Sequence, residues 1–189
     1  MRIIAGEFKG RRLEAPSWTG LRPTSDKLRE TLFNVLAPRI GGARVLDGFA
    51  GTGAVGLEAL SRGAAHVTFV ERDPRAVRLV GANLRRCGVE DRHAIIRAGL
   101  ADAVRRLPDA NFDIIFLDPP YGARETDEAL AAAARLAGDG TVVVLEHAAR
   151  DAAPDEAGGL VRVRVVTSGD SALAFYRRRL PAAEGPATP

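Results

Sequence analysis

From residue 43 onward, short β-branched apolar runs alternate with longer segments whose apolar residues recur every three or four positions. The runs at 43–47, 66–71, 93–97, 112–117 and 141–146 read as strands, and the segments at 54–62, 74–87, 100–107 and 125–136 as helices. Pro74 opens its helix in the first turn, where a missing N–H costs nothing, and Gly88 follows that helix's end. The run Asp113-Ile114-Ile115-Phe116-Leu117 has the unbroken apolar character of a strand buried on both faces. Such repetition predicts a parallel sheet with helices on both sides. The end of the chain breaks the pattern. Strands at 160–166 and 172–178 leave only 167–171 between them, too short for a crossover helix, so they form a hairpin and one runs antiparallel. The expected fold class is α/β, with a mostly parallel seven-stranded sheet and a C-terminal antiparallel hairpin.

Before residue 43 the pattern differs. Residues 2–14 read as two short strands around Gly6-Glu7-Phe8-Lys9-Gly10, a small hairpin. A loop at 15–20 carries Trp18, the only tryptophan. Arg22-Pro23-Thr24-Ser25-Asp26 reads as a helix start, with Thr24 or Ser25 as N-cap and Asp26 favouring the positive terminus. Leu28, Leu32, Phe33 and Leu36 give that helix one buried face, and Pro38 with Gly41-Gly42 is expected to end it. The domain plan is a hairpin-and-helix extension over 1–40, one α/β domain over 41–180, and a disordered tail of small residues and proline over 181–189.

Composition narrows the function. The 189 residues are 46% hydrophobic, enough for a full core, and no apolar run approaches the ~20 residues of a membrane span. The first residues lack the apolar core of a signal peptide. Cys87 is the only cysteine, which excludes an internal disulfide and a zinc framework, and His66, His93 and His147 show no metal spacing. These features fit a cytoplasmic, metal-free protein, expected to be a monomer. The net charge of +3 is mild, but basic residues gather near both ends: Lys9, Arg11, Arg12 and Arg22, then Arg162, Arg164, Arg177, Arg178 and Arg179. A solvated arginine-rich surface explains this as readily as phosphate binding does.

Between the strand at 43–47 and the next helix lies Asp47-Gly48-Phe49-Ala50-Gly51-Thr52-Gly53-Ala54-Val55-Gly56, in which Gly51, Gly53 and Gly56 match G-x-G-x-x-G. Glu71 follows Gly51 by twenty residues, at the end of the next strand, where a ribose-binding acid belongs. The fold is therefore read as Rossmann-like with a nucleoside-containing cofactor. A dinucleotide would set a pyrophosphate against the loop, where Asp47 would repel it. S-adenosylmethionine has no phosphate and carries an ammonium and a sulfonium. Asp47, Glu71 and Asp118 would line one crevice at the strand ends and favour that double cation.

The fourth of these strands is followed by Asp118-Pro119-Pro120-Tyr121. The prolines force the backbone out of the sheet, leaving an acid, a kink and an aromatic ring where open α/β sheets bind ligands. Asp118 and the Pro119 carbonyl are suited to accept the two N–H bonds of an amine on a planar ring, with Tyr121 stacking on that ring. Asp-Pro-Pro is also ordinary turn chemistry, so the tetrapeptide gains meaning from the cofactor loop.

These motifs resemble class I methyltransferases, in which D/N-P-P-Y/F marks methylation of an amino nitrogen. Arg2-Ile3-Ile4-Ala5-Gly6, Gly10-Arg11-Arg12-Leu13, Arg22-Pro23-Thr24, Arg29-Glu30-Thr31-Leu32-Phe33-Asn34 and the stretch from Gly56 to Ala64 narrow the resemblance to the RsmD family over roughly residues 2–180. The resemblance implies transfer from S-adenosylmethionine to a guanine N2 in 16S rRNA, with an assembled or partly assembled 30S particle as partner. It implies cofactor contacts from Asp47, Phe49, Gly51, Gly53, Glu71, Arg72 and Asp118, with adenine near Gly99 and Leu100. It assigns catalysis to Asp118, Pro119, Pro120 and Tyr121, and suggests RNA contacts at Lys9, Arg11, Arg12, Arg22 and Thr24. Gly48 departs from the family's larger residue, which is expected to loosen the loop. The residues alone reach amino methylation of a nucleobase flipped out of its stack or already unpaired. They leave open an adenine-N6 methyltransferase on DNA or RNA, an NAD-dependent oxidoreductase, and a non-enzymatic RNA-binding assembly factor.

Overall fold

The computed structural model describes residues 1–18, 24–107, 111–120 and 122–179. Arg22, Tyr121 and the tail at 181–189 lie outside the described residues. The elements in chain order are α1 (Asp26–Ile40), β1 (Arg44–Asp47), α2 (Ala54–Ser61), β2 (His66–Glu71), α3 (Pro74–Arg86), β3 (His93–Arg97), α4 (Leu100–Arg105), β4 (Ile114–Leu117), α5 (Ala123–Ala134), β5 (Val142–Ala148), β6 (Glu156–Ala157), β7 (Leu160–Ser168) and β8 (Ser171–Arg178).

They build one sheet in the order β3-β2-β1-β4-β5-β8-β7-β6. The first five strands are parallel, and β8 runs antiparallel to both β5 and β7. The seven expected strands are present. An eighth, of two residues, pairs with the edge of β7 through Glu156↔Val161 and Ala157↔Leu160. Alternation along each strand divides the core. Val45, Phe69, Phe116, Val144 and Phe175 face a cluster shared with α1, α2 and α3. Leu46, Val70, Ile115, Leu145 and Tyr176 face a second cluster, shared with α4 and α5. This is the class I methyltransferase arrangement of an α/β sheet covered on both sides.

Ser25 caps α1 by accepting the Leu28 N–H at 3.1 Å. The helix passes through Pro38 to Ile40 rather than ending there. Pro38 lies in the last turn, where its fixed φ suits a helix and the single lost N–H bond is tolerable. Gly42, at φ +75°, turns the chain away.

The segment before α1 is joined by one antiparallel bridge, Arg2↔Arg12, in place of two regular strands. Four of its backbone N–H groups are taken by residues of α2. The Glu58 carboxylate accepts the Ile4 and Ala5 N–H groups at 2.8 and 3.0 Å. The Glu7 N–H reaches the Ser61 carbonyl at 2.7 Å, and the Phe8 N–H reaches the Ser61 hydroxyl at 2.9 Å. Gly6, at φ +83°, is so close that a Cβ there would lie 1.8 Å from the Ser61 carbonyl oxygen. Ile3, Phe8 and Leu13 are buried in the same cluster as α1 and α2.

Candidate functional site

The topology reverses between β1 and β4, the switch point where α/β sheets open a crevice at their carboxyl ends. The loop after β1 is fastened to both neighbouring strands. The Gly48 N–H donates to the Phe116 carbonyl and the Ala50 N–H to the Val70 carbonyl, each at 2.9 Å. Gly51 and Gly53 take φ values of +53° and +77°, which only glycine adopts without strain. Gly53 is the N-cap of α2 and has no side chain to serve that helix. Asp47 does so instead, accepting the Gly56 N–H at 3.0 Å. At Gly56 a Cβ would lie 2.2 Å from Phe69 Cε1, so this glycine lets α2 rest directly on β2. Gly48 leaves no gap where the family has a larger residue. A Cβ there would meet Leu117 at 2.9 Å, because Leu117 and Leu100 fill the space.

Asp47 is buried, and its carboxyl is pushed up to about 7. Desolvation is the main cause, the Gly56 N–H opposes it, and the Glu71 charge adds to it. Glu71 extends from the end of β2. It accepts the Gly51 N–H at 3.0 Å through one oxygen and the Asp73 N–H at 2.8 Å through the other. Each oxygen keeps a further lone pair for a ligand hydroxyl. Asp73 caps α3 and is held down to about 2, chiefly by its hydrogen bonds from Arg75. The Arg75 guanidinium also lies 5.1 Å from the centroid of the Trp18 ring.

These groups open onto a cleft of about 1030 Å³. Asp47, Phe49, Gly51, Glu71, Arg72, Gly99, Leu100, Asp118, Pro119 and Pro120, all singled out from the sequence, line it. Gly53 is not in the cleft wall and acts from beneath as the helix cap. Thr24, expected to contact RNA, lies in the cleft beside Ser25 and Lys27. Asp47 pairs in register with Phe116, so Asp118 emerges from the strand next to the glycine loop.

Sequence reasoning missed three parts of the wall. Glu146 of β5 is 6% exposed, and the turn carrying Ser168, Gly169, Asp170 and Ser171 closes the far side. Trp18 stands over the Glu71 end beside Arg75. Glu146 had a legible signal, as an acid ending the strand expected at 141–146. The Trp18–Arg75 contact has no signature in sequence spacing.

The basic residues separate into two groups. Lys9 and Arg12 are exposed on the N-terminal segment. Arg11 donates to the Cys87 carbonyl and lies 5.2 Å from the centre of the Phe8 ring. Near the other end, Arg162 pairs with Asp155, Arg179 with Glu156, and Arg178 reaches the Ala137 carbonyl at 2.6 Å. Much of the terminal arginine cluster therefore ties the C-terminal hairpin to its own chain. Among the described residues no group of three or more His, Cys, Asp or Glu is placed to hold a metal, and no helix is long and apolar enough to cross a membrane.

Comparison with known proteins bears on this arrangement. A family model described as "Conserved hypothetical protein 95" matches residues 1–177. The Bacillus subtilis protein named "Putative rRNA methyltransferase YlbH" is 40% identical over 187 residues, covering 95% of this chain and all of that one. Haemophilus influenzae "Ribosomal RNA small subunit methyltransferase D" is 41% identical over 133 residues, 69% of each chain. The solved structure titled "Putative methyltransferase yhhF from Escherichia coli" superposes with a TM-score of 0.82 at 33% identity, covering 94% of this chain and 97% of that one. The chain belongs to the conserved hypothetical protein 95 family, the RsmD family.

Proposed function

We propose that this protein methylates the exocyclic N2 of a guanine in small-subunit rRNA, using S-adenosylmethionine as donor. The observation that carries the reading is the opening of Asp118-Pro119-Pro120 into the same cleft as the glycine loop, Asp47 and Glu71. The names of the relatives supply the RNA class.

The residues fit the donor better than they fit a dinucleotide. A carboxylate buried at the loop's base repels a pyrophosphate and attracts a cation. Glu71 is held by two backbone N–H groups with lone pairs left for the two ribose hydroxyls. The wall at Gly99 and Leu100 suits the adenine. Bound there, S-adenosylmethionine supplies a methyl that passes to the amine nitrogen as the carbon–sulfur bond breaks and its electron pair leaves with sulfur. An exocyclic amine is a poor nucleophile because its lone pair is delocalised into the ring. Asp118 and the Pro119 carbonyl accept its two N–H bonds, draw the nitrogen toward tetrahedral geometry and hold it in line. The methylated nitrogen then releases its proton to water, so Asp118 need not act as a full base. Lys9 and Arg12 hold RNA phosphates.

The test uses labelled S-adenosylmethionine with naked rRNA or with 30S particles lacking the modification, followed by mapping of the product. The expected result is label on a guanine N2, and loss of at least ~100-fold in kcat for Asp118→Ala with RNA binding retained. Label on adenine, transfer only to DNA, or unchanged activity in Asp118→Ala overturns the reading.

A further inference from the structure

Asp118 does not distinguish guanine from adenine, since both bases present an exocyclic amine. The two differ at the ring nitrogen beside it, where guanine N1 carries a proton and adenine N1 a lone pair. We propose that Glu146 reads this position and is the residue that selects guanine. The assignment rests on the function proposed above.

Three observations support it. Leu117 of β4 pairs in register with Leu145 of β5. Asp118 follows β4 directly and Glu146 is the next residue along β5, so the two sit side by side at the cleft, roughly 5 Å apart at the backbone. Alternation along β5 turns Val144 toward the cluster shared with α1 and α2, and Glu146 shares that parity, as Asp47 does on β1. Glu146, paired within the sheet to Leu173 of β8, lines the cleft and is 6% exposed. A carboxylate is costly to bury and is rarely found so without a task.

The cavities give the direction. A second cavity of about 550 Å³ lies on the other side of the Asp118 turn, lined by Gly122, Thr126, His147 and Arg150 among others. Among the described residues, Pro119 and Glu146 are common to both cavities. A base whose amine is held by Asp118 and the Pro119 carbonyl therefore turns its adjoining ring edge toward Glu146. The carboxylate accepts from guanine N1–H. Adenine would set its N1 lone pair against the same oxygens, an acceptor facing an acceptor.

The test uses a short RNA spanning the mapped target, made with guanine or with 2-aminopurine at that position. 2-Aminopurine keeps the 2-amine but has a lone pair at N1. Wild-type protein is expected to favour guanine by at least ~10-fold in kcat/KM. Glu146→Gln keeps the shape and offers an N–H donor in place of one acceptor. It should lose ~10–100-fold on guanine, the range expected for one charge-assisted hydrogen bond, and lose little or gain on 2-aminopurine. S-adenosylmethionine affinity and Tm should stay near wild type. Equal losses on both RNAs would mark Glu146 as structural and overturn the assignment. Should the variant fail to fold, the wild-type ratio alone decides, and equal rates on the two RNAs refute the inference. Absence of label on guanine both in the short RNA and in 30S particles sinks the guanine reading itself, whereas methylation of both RNAs alike sinks only the role of Glu146.

Discussion

Asp47→Asn separates the two duties of the buried carboxylate. In the ligand-free protein Asp47 holds its proton up to about 7, against an ordinary value of 3.8. The folded value lies above the unfolded one. Between about pH 4 and 7 the folded chain therefore binds a proton that the unfolded chain has released, and stability falls as pH rises through that window. Each pH unit is worth ~1.4 kcal/mol, so the cost grows by roughly 3 kcal/mol between pH 5 and 7 and is constant above that. Asparagine can still accept the Gly56 N–H, and it has no charge to desolvate. The Tm of the variant should therefore rise relative to wild type as pH increases. At ~2–4 °C per kcal/mol for a chain of this size, the gap widens by ~6–12 °C between about pH 5 and about pH 8. Taking the difference between two proteins cancels the other titrating groups. S-adenosylmethionine binding should move the other way. Losing one charge-assisted contact weakens affinity ~10–100-fold at about pH 8, whereas wild-type affinity rises from about pH 6 to 8 as Asp47 ionises. Scanning calorimetry and titration calorimetry at the two pH values decide the matter. Parallel Tm profiles, or a variant that binds the donor as tightly as wild type at high pH, would refute the argument.

Two further perturbations address the N-terminal segment. Glu58→Ala removes the carboxylate that accepts from Ile4, Ala5 and Arg62 in a buried setting. It should cost about 3–5 kcal/mol and make Arg11 and Arg12 the first trypsin sites, read by denaturation and mass spectrometry. Replacing Lys9 and Arg12 together by alanine should leave stability within ~0.5 kcal/mol and lower the slope of log affinity for RNA against log salt by about 1.5, measured by filter binding over a salt series. An unchanged slope would remove these residues from the RNA surface.

The strands and helices of the parallel region were legible because each buries a periodic face, and a period shows in any single sequence. Asp47, Glu71 and Asp118 were legible for a related reason. Each follows an apolar run directly, so its place at a strand end needs no tertiary information. Other features depend on partners far away in the chain. The two-residue β6 exists because the β7 edge offers hydrogen bonds, not because Glu156-Ala157 has strand character. Pro38 reads as a helix stop, yet its position in the last turn lets the helix finish at Ile40. Gly48 reads as slack, but Leu117 and Leu100 occupy the space from other elements. The arginines near the C-terminus read equally as a solvated or a phosphate-binding surface, and the acidic partners of Arg162 and Arg179, Asp155 and Glu156, come from the neighbouring edge of the sheet.

The stretches Arg2-Ile3-Ile4-Ala5-Gly6 and Gly56 to Ala64, which carry much of the family resemblance, meet each other rather than the cleft. Glu58 and Ser61 take the backbone N–H groups of residues 4, 5, 7 and 8, and Gly6 fits only because it lacks a Cβ. Arg29, itself fully buried, donates to the Arg2 carbonyl at 2.7 Å from the opposite side. The segment continues to Glu14, whose N–H donates to Asn83 Oδ1 at 2.7 Å, and the Asn83 amide donates at 3.0 Å to the carbonyl of Thr52 in the cofactor loop. Lifting the segment off would take from Glu58 two of its donors and from Arg29 the Arg2 carbonyl, leaving Arg62 and Asp26 as their remaining partners. Lys9 and Arg12 are thus presented on a fixed platform whose hydrogen bonds run to the glycine loop. On the function proposed above, an RNA held by Lys9 and Arg12 would be fixed relative to the glycine loop by the same contacts that fold the N-terminus.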